Sequence, residues 1–487
     1  MSHEHDTTTL SDDVEEKRPS LGWSLVPLAA MLVLLAVGYG VLGLAPEPLL
    51  ILSAIIAGLV ALRMGLSWEE MLLGIREKLD AAMPALLVLI SIGILIGTWM
   101  IAGTIPMMIY YGLGLISAQF IVLIAFVISA IVSVITAIVS VITGTSWGSA
   151  GTVGVALMGI AAGLDAPLAA TAGAIVAGAY FGDKLSPLSD TTNLAPIAAG
   201  TTLWEHIRHM LYTTIPATVV ALALYLFVGI NQQSGGTDSD QITAVTGTLD
   251  SLFSFNVLLL LPMLIVLGGA VLKLPTLPTI IGSSLVAGIL AAIFQKVNLE
   301  SIFASTVDGF TPDMLEVGSS TLKNLDPQVV ELVSQGGMAS MTGVILIAFS
   351  AFAFAGIMSK SGALETIIRS LLKFVKRTGD LVLSTVVSCL TMAVVTGNSY
   401  LSIIVPGELF KKAYADRGLD AKNLSRTLED SGTVVVPLIP WSSAGVYMAG
   451  VLGVSVLDYA PWAVFCYVGF AFAIILGYTG IGIAKRR

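Results

Sequence analysis

Apolar stretches recur along almost the whole chain, and each is long enough to cross a membrane. The hydrocarbon core of a bilayer is about 30 Å thick, so a helix needs roughly 20 mostly apolar residues to span it. In the first half these stretches lie near residues 23–44, 48–66, 84–102, 118–142, 167–182 and 210–230. In the second half they lie near 253–272, 276–295, 340–358, 381–397, 431–453 and 461–484. The pattern predicts an all-α polytopic membrane protein.

Composition supports this class and excludes others. Of the 487 residues, 56% are hydrophobic and only 11% are charged, which is far from the balance of a soluble domain. The two cysteines, Cys389 and Cys466, lie in apolar segments and indicate no disulfide framework. Residues 1–20 are acidic and lack an apolar core, so we expect a cytoplasmic tail there and not a signal peptide. No nucleotide-binding motif supports a primary pump.

The distribution of basic residues predicts the orientation in the membrane. Cytoplasmic loops are enriched in Lys and Arg. The segment 231–252 is polar, contains acids and has no base, so we expect an extracytoplasmic linker. Basic residues at 17–18, 360–377, 411–426 and 485–487 predict that these segments and both termini face the cytoplasm.

The two halves of the chain resemble each other. The segment 53–75 aligns with 283–303, and Thr143-Gly144 aligns with Thr396-Gly397. Because charge bias gives the two halves opposite orientations, we predict two inverted repeats, 21–230 and 253–487. This architecture is typical of secondary transporters, which bind their substrates between the repeats near the middle of the membrane.

Each predicted repeat contains one segment that begins and ends on the same side of the membrane. These segments are 118–162 in the first repeat and 381–415 in the second, and we interpret them as re-entrant hairpins. Their tips are predicted near 143–147 and 397–400. With the hairpins set apart, about ten full transmembrane helices remain.

Each hairpin is followed by a helix that is predicted to break at the midplane. The broken helices are 167–204 and 427–453, with breaks at 182–193 and at 437–443. Proline, glycine and hydroxyl residues in these breaks disfavour a continuous helix. Irregular backbone at this depth is tolerated only where it lines a cavity or is buried in protein.

The first break contains the chemistry that most narrows the function. Ionisable residues inside a membrane usually mark an ion or substrate path. Hard cations such as sodium prefer oxygen ligands, and the break offers Asp183, Ser186, Ser189, Asp190, Thr191, Thr192 and Asn193. A carboxylate that binds either a cation or a proton produces antiport. We assign this role first to Asp190 and then to Asp183, with Lys184 as the modulator of Asp183.

A structural interpretation of the first break stays open beside the functional one. Asp183 and Lys184 would then form a buried ion pair, and the hydroxyl groups would only repair the kink. One lysine cannot neutralise both aspartates, so this alternative explains Asp190 less well than Asp183.

Further candidate ligands lie at the hairpin tips and around the second break. The tips offer Thr145, Ser146, Asn398 and Ser399, either as ligands or as packing groups. The second break contains Ser442 and Ser443 but no acid. The nearest acids are Glu429 and Asp430 on the preceding half-helix, and they either form a second cation site or pair with Arg426 at the cytoplasmic surface. We favour surface pairing for Glu429 and a supporting role at the site for Asp430.

Two histidines follow the first break. His206 and His209 lie at the predicted cytoplasmic boundary, where histidine could sense pH because it titrates near neutrality. We favour the simpler interpretation that both are interfacial anchors.

Three motifs make a family resemblance recognisable. GDKLSPLSDTTNLAP (182–196), TGTSWGSAGTVG (143–154) and TLEDSGTVVVPLIPWSSAG (427–445) resemble the NhaC family of sodium/proton antiporters, within the ion transporter superfamily. The resemblance implies sodium/proton exchange at the inner membrane of a bacterium, with no cofactor besides the transported ions. It also implies a scaffold and a moving transport domain, often in a homodimer.

Two alternatives to simple sodium/proton exchange were weighed. The same family includes exchangers of malate and lactate and carriers of amino acids, so an organic substrate stays open. An organic anion would need a fixed cation, and Lys184 is the one base well inside an apolar segment. An intramembrane aspartyl protease is disfavoured because Gly182-Asp183 has no tyrosine-aspartate partner in the chain. We therefore expect a transporter and not an enzyme.

Overall fold

The computed structural model describes residues 19–113, 118–139, 145–187, 189–231, 239–272, 274–316, 325, 330 and 333–486. Throughout these residues the regular elements are helices, and one isolated β-bridge joins Leu419 to Lys485. The predicted class, an all-α polytopic membrane protein, is confirmed. Most of the predicted tail 1–20 and residues 143–144 of the first hairpin tip lie outside the described residues.

The helices of the first half begin at Leu21 and include the two helices on either side of the first break. In chain order they are α1 (Leu21–Val33), α2 (Pro46–Arg63), α3 (Trp68–Ala102), α4 (Thr104–Leu113), α5 (Ile121–Val139), α6 (Thr145–Ser149), α7 (Val155–Gly163), α8 (Leu168–Leu185), α9 (Asp190–Ala199) and α10 (Leu203–Asn231). A π-helical segment, Leu34–Tyr39, continues α1, and another, Ala150–Gly154, joins α6 to α7.

The helices of the second half begin at Ser239. They are α11 (Ser239–Leu252), α12 (Leu261–Val271), α13 (Thr276–Leu290), α14 (Leu299–Val307), α15 (Thr342–Lys360), α16 (Ala363–Leu372), α17 (Thr378–Thr396), α18 (Ser399–Asp416), α19 (Ala421–Gly432), α20 (Ser443–Leu452), α21 (Val456–Tyr459) and α22 (Phe465–Thr479). A 3₁₀ turn, Val436–Leu438, lies between α19 and α20.

Seven helices in the described part of the chain are long and apolar enough to cross a membrane. The number rises to nine if each of two bent helix pairs forms one span. One bent pair, Ala421–Leu438 with Ser443–Leu452, turns by 46° at the second predicted break. The expected total of about ten spans, like the inverted repeats, stays a prediction.

Polar residues outside the spans set where helices start. Ser67 precedes α3, and its hydroxyl accepts a hydrogen bond from the Glu70 amide at 3.2 Å. The Glu70 carboxylate in turn accepts from the Ser67 amide at 2.7 Å, so the two residues form a capping box. These hydrogen bonds lower the pKa of Glu70 from its ordinary value.

Close helix packing positions the first break. Helix α5 packs along α8, and Gly178 lies at their contact. A Cβ atom on Gly178 would lie 2.4 Å from the carbonyl oxygen of Phe126, so only glycine allows this approach. The break that follows α8 is thereby held at a fixed place in the core.

Helix α19 is the central element of the second half. It packs against α9, α10, α17, α18 and α22, and all its residues from Asn423 to Gly432 are buried. Arg426 on this helix is fully buried and donates to the carbonyl oxygen of Gly482 at 3.1 Å. Arg426, the last base of the stretch 411–426, is therefore packed inside the protein, and the cytoplasmic location of that stretch stays a prediction.

The predicted linker 231–252 is only partly a loop. Residues Ser239–Leu252 form α11, and Val245, Leu249 and Leu252 on it are buried. These apolar residues recur at spacings of four and three and so share one helix face. That face packs on the core, and the chain then turns by 102° into the next helix.

Candidate ion-exchange site

The first break lies between α8 and α9, and its geometry follows from Pro187. Proline has no amide hydrogen to donate, so the helix cannot continue unchanged through it. The side-chain amide of Asn193 donates to the carbonyl oxygens of Pro187 at 2.8 Å and Ser189 at 2.7 Å. The Thr192 hydroxyl donates to the carbonyl oxygen of Asp183 at 3.2 Å. Asn193 and Thr192 therefore satisfy the backbone of the break.

One cavity of about 780 Å³ collects the candidate residues from several elements. Of the predicted ligands and supporting residues, those that line it are Asp183, Asp190, Thr191, Ser146, Asn398, Ser399 and Ser443. Residues 396–401 supply the turn between α17 and α18, and Thr433, Ser443 and Ala444 flank the second break. The structure thus brings both breaks and the two predicted hairpin tips, as far as they are described, to one cavity.

Asp190 is the more accessible of the two aspartates. It is the first residue of α9, and its Oδ1 accepts from the Thr191 amide at 2.9 Å. Its Oδ2 accepts a hydrogen bond from the Tyr400 hydroxyl at the tip of the α17–α18 hairpin. A carboxylate at a helix start is also favoured by the helix dipole.

Asp183 lies deeper, on the last turn of α8. Its side chain is 4% exposed and lines the same cavity. The Ser146 hydroxyl on α6 donates to Asp183 Oδ2 at 3.4 Å. The two aspartates therefore contact opposite hairpin regions, Asp190 through Tyr400 and Asp183 through Ser146.

The α17–α18 tip is fixed to the second break. Gly397 has a φ angle of 61°, and a Cβ atom there would lie 3.1 Å from Cα of Ser442. The Ser443 amide donates to the Gly397 carbonyl oxygen at 3.1 Å. Asn398 caps α18 by accepting from the Tyr400 amide at 2.8 Å. These contacts hold the Tyr400 hydroxyl toward Asp190.

The salt bridge of Lys184 is with an acid on another helix. The lysine pairs with Asp430 on α19, and both side chains are almost completely buried. The Thr213 hydroxyl on α10 donates to the same carboxylate, at 3.0 Å from Asp430 Oδ1. The structural alternative of an Asp183–Lys184 pair therefore names a different partner from the one in the salt bridge, because the helix turns the lysine toward α19.

Glu429 is fully buried and lies beside the first break. Its Oε1 accepts a hydrogen bond from the Thr191 hydroxyl at 3.5 Å. The expectation that Glu429 pairs with Arg426 at the surface is wrong, because neither side chain reaches the surface.

His206 and His209 are also buried, so the expectation of interfacial anchors is wrong. Nδ1 of His206 is 2.5 Å from the Ser425 hydroxyl, and Nε2 of His209 is 3.1 Å from Oδ1 of Asn423. Both histidines join α10 to α19 and do not face lipid.

Besides Thr192 and Asn193, three predicted site residues with hydroxyl groups lie outside the cavity lining. Ser186 is buried in the first break, and the Ser189 hydroxyl lies 3.2 Å from that of Thr191. Ser442 caps α20 by accepting from the Gly445 amide at 2.8 Å. The side chain of Thr145 is not among those that the structure describes.

Three residues that contact the candidate site residues were not predicted from the sequence to do so. They are Tyr400, Thr213 and Glu429, which is buried. Tyr400 lies within the predicted tip 397–400 beside Asn398 and Ser399, so the run of polar side chains at the tip was an available signal. Thr213 lies inside an apolar span, and no sequence pattern marked its contact with Asp430.

The donor chemistry fits a hard monovalent cation. The cavity presents carboxylate, hydroxyl and amide oxygens, which suit sodium better than softer transition metals. In the described part of the chain no three His, Cys, Asp or Glu residues cluster as a metal centre.

Comparison with known proteins identifies the family. Residues 178–481 match the Na⁺/H⁺ antiporter family. An uncharacterized Na⁺/H⁺ antiporter of Haemophilus influenzae is 49% identical over 95% of this chain and 96% of its own length. The Na⁺/H⁺ antiporter NhaC of Alkalihalophilus pseudofirmus is 36% identical over 97% of this chain and 98% of its own. A malate-2H⁺/Na⁺-lactate antiporter of Bacillus subtilis is 34% identical over 95% of both chains. The chain therefore belongs to the Na⁺/H⁺ antiporter family and is a multi-pass membrane transporter that exchanges sodium for protons.

Proposed function

We propose that Asp190 is the carboxylate at which sodium and protons compete, and that Asp183 is the second group of the same site. The observation that carries this proposal is the position of Asp190, which lines the cavity and holds two hydrogen-bond donors on its carboxylate. Sodium would bind the ionised carboxylate together with hydroxyl and amide oxygens from the facing tips. A proton on the carboxylate removes the charge that attracts sodium, so the two ions exclude each other.

Exchange then requires that the loaded site opens to one side of the membrane at a time. The contacts between the α17–α18 tip, the second break and Asp190 give a unit that can move together as the bound ion changes. Ion gradients drive this alternating access, so the proposal needs no cofactor. The cavity is bordered by Glu77 and Lys78 of α3, and the partly exposed side chain of Glu77 supports one open side.

We extend the proposal to the setting of the protein. The family resemblance supports a bacterial inner membrane location and a homodimer, and the basic segments support both termini in the cytoplasm. Cysteine labelling from each side of the membrane measures the orientation, and cross-linking in native membranes measures the oligomeric state.

Reconstitution with a sodium gradient tests the site assignment. Proteoliposomes with a trapped pH indicator should show sodium-driven proton flux, and Asp190→Asn should reduce this flux to the level of protein-free vesicles. Asp416→Asn is the matched control, because Asp416 is exposed at the end of α18 and lies outside this cavity. Flux that persists in Asp190→Asn would show that another group exchanges the ions.

An organic acid as co-substrate is the second candidate. The cavity of about 780 Å³ exceeds what a bare ion needs, and Lys78 on its wall offers a cation for a carboxylate. Burial lowers the pKa of Lys78 from its ordinary value, so a bound anion would favour its charged form. The malate and lactate named for one relative are such anions. Proton flux that begins only after malate or lactate is added would favour this candidate.

A further inference from the structure

Glu429 is a buried carboxyl group that the proposed site does not yet use. It lies on α19, its side chain has no exposed surface, and its Oε2 has no hydrogen-bond partner among the described residues. An isolated carboxylate in such a place is very costly unless it is paired with a base or protonated. Its state therefore depends on the charges that face it.

The charged groups around Glu429 leave it without a base of its own. Lys184 on α8 interacts with Glu429, but it forms its salt bridge with Asp430. Arg426, buried one turn earlier on α19, interacts with Asp430 as well. Asp183 on α8 and Asp430 on the same helix both add negative charge near Glu429. Thr191 on α9 contributes a hydroxyl donor. Two bases that both act on Asp430, among three acids, favour a proton on Glu429 when no cation is bound.

Thr191 connects this buried group to the cavity. Its amide donates to Asp190 Oδ1 at 2.9 Å, and its hydroxyl donates to Glu429 Oε1 at 3.5 Å. Thr191 itself lines the cavity. A single residue therefore lies between the accessible carboxylate and the buried one, with polar groups directed at both.

We propose that Glu429 is a second exchanging carboxyl group, reached from the cavity past Thr191, and that the loaded sodium site extends from Asp190 to Glu429. This inference rests on the proposed role of Asp190. When sodium enters, the O–H bond of Glu429 breaks, its proton leaves to water in the cavity, and the ionised oxygen becomes a sodium ligand. When sodium leaves, a proton from the cavity restores the neutral carboxyl group.

The inference predicts that more than one proton leaves for each sodium bound. Sodium is added to purified protein in weak buffer, and released protons are counted with an indicator dye beside the bound sodium. Glu429→Gln should lower the ratio of protons to sodium by about half, because one of two coupled carboxyl groups no longer titrates. Glu408→Gln is the matched control, since Glu408 is exposed on α18, and it should leave the ratio unchanged.

Two outcomes of this experiment separate the inference from the proposed function. A Glu429→Gln protein that releases as many protons per sodium as the wild type would overturn the role of Glu429 and leave Asp190 in place. Sodium-dependent proton release that persists in Asp190→Asn would overturn the proposed function itself.

A second measurement uses the unaltered protein, in case Glu429→Gln does not fold or bind sodium. A hydrophobic carbodiimide reacts with protonated carboxyl groups in apolar surroundings, and mass spectrometry locates the adduct. Glu429 should be labelled without sodium and protected when sodium is added at the same ionic strength. Labelling that is absent, or that sodium does not change, would overturn the inference.

Discussion

Lys184 and Asp430 show how single residues join the two broken helices. Lys184 ends α8 and Asp430 belongs to α19, so their buried salt bridge connects the first break to the half-helix before the second. Gly469 on α22 packs beside the pair, and a Cβ atom there would lie in ordinary van der Waals contact, 3.5 Å from Asp430 Oδ1. The pair fixes the positions of both breaks around the cavity.

Removing one partner of this pair should be costly. Lys184→Met leaves Asp430 buried without a base, and we expect a loss of about 3–5 kcal/mol in the free energy of unfolding. The double variant Lys184→Met/Asp430→Asn should recover much of that loss, since no unpaired charge remains. Unfolding in detergent measures both variants.

The matched control is the exposed salt bridge between Lys360 and Glu77, at 2.7 Å. Lys360→Met should change the free energy of unfolding by only about 0–1 kcal/mol, because solvent screens an exposed pair. Equal losses for Lys184→Met and Lys360→Met would contradict the structural role of the buried pair.

Residues differ in how far the sequence alone reveals them. Asp183 and Asp190 stood out because an acid inside an apolar segment is rare and costly. The partner of Lys184 did not, since Asp183 is adjacent in sequence whereas Asp430 is 246 residues away. Which acid a buried lysine meets depends on tertiary packing, and no local pattern encodes it.

At the scale of elements, the contact between the α17–α18 tip and the second break is the feature that function depends on. Gly397→Ala adds a methyl group that meets Trp441 and Ser442 backbone at 3.1–3.2 Å. We expect the tip to shift and the initial exchange rate to fall by about tenfold, equivalent to about 1.4 kcal/mol in the barrier. Sodium-driven proton flux measures this rate.

A second glycine, Gly418, provides a control that distinguishes the effect of losing the tip contact from the effect of backbone strain. Gly418 has nearly the same φ angle, 66° against 61°, but nothing lies within 4 Å of its added Cβ. Gly418→Ala therefore carries the same left-handed strain without the clash, and its exchange rate should stay near that of the wild type. Similar rates in the two variants would contradict a role for the tip contact.

The breaks in the helices could be predicted from the sequence because a residue type dictates the backbone geometry there. Pro187 and Pro437 marked the breaks because proline cannot continue a helix unchanged. Helix α11 was missed because the polar composition of its segment obscured the three buried apolar residues that share one face. A short amphipathic helix beside long apolar spans gives a weak signal.

At the scale of the whole molecule, apolar segment length predicted the fold class, because it depends only on membrane thickness. The number of spans was harder to predict from the sequence, because a bent or broken helix can count as one membrane crossing or as two shorter segments. The cavity required the packing of α6, α8, α9 and the α17–α18 hairpin, which lie far apart in sequence. Inverted repeats remain a prediction for the arrangement of these parts.

Competition between sodium and protons at one site is the central claim, and sodium binding at several pH values tests it most directly. Purified protein is titrated with sodium at constant ionic strength, and the dissociation constant is measured at each pH. If each sodium displaces at least one proton, this constant should rise by about tenfold or more for each unit that pH falls below the titration of the site. Asp190→Asn should abolish the measurable binding. A sodium dissociation constant that does not change with pH, or that Asp190→Asn leaves intact, would contradict the account.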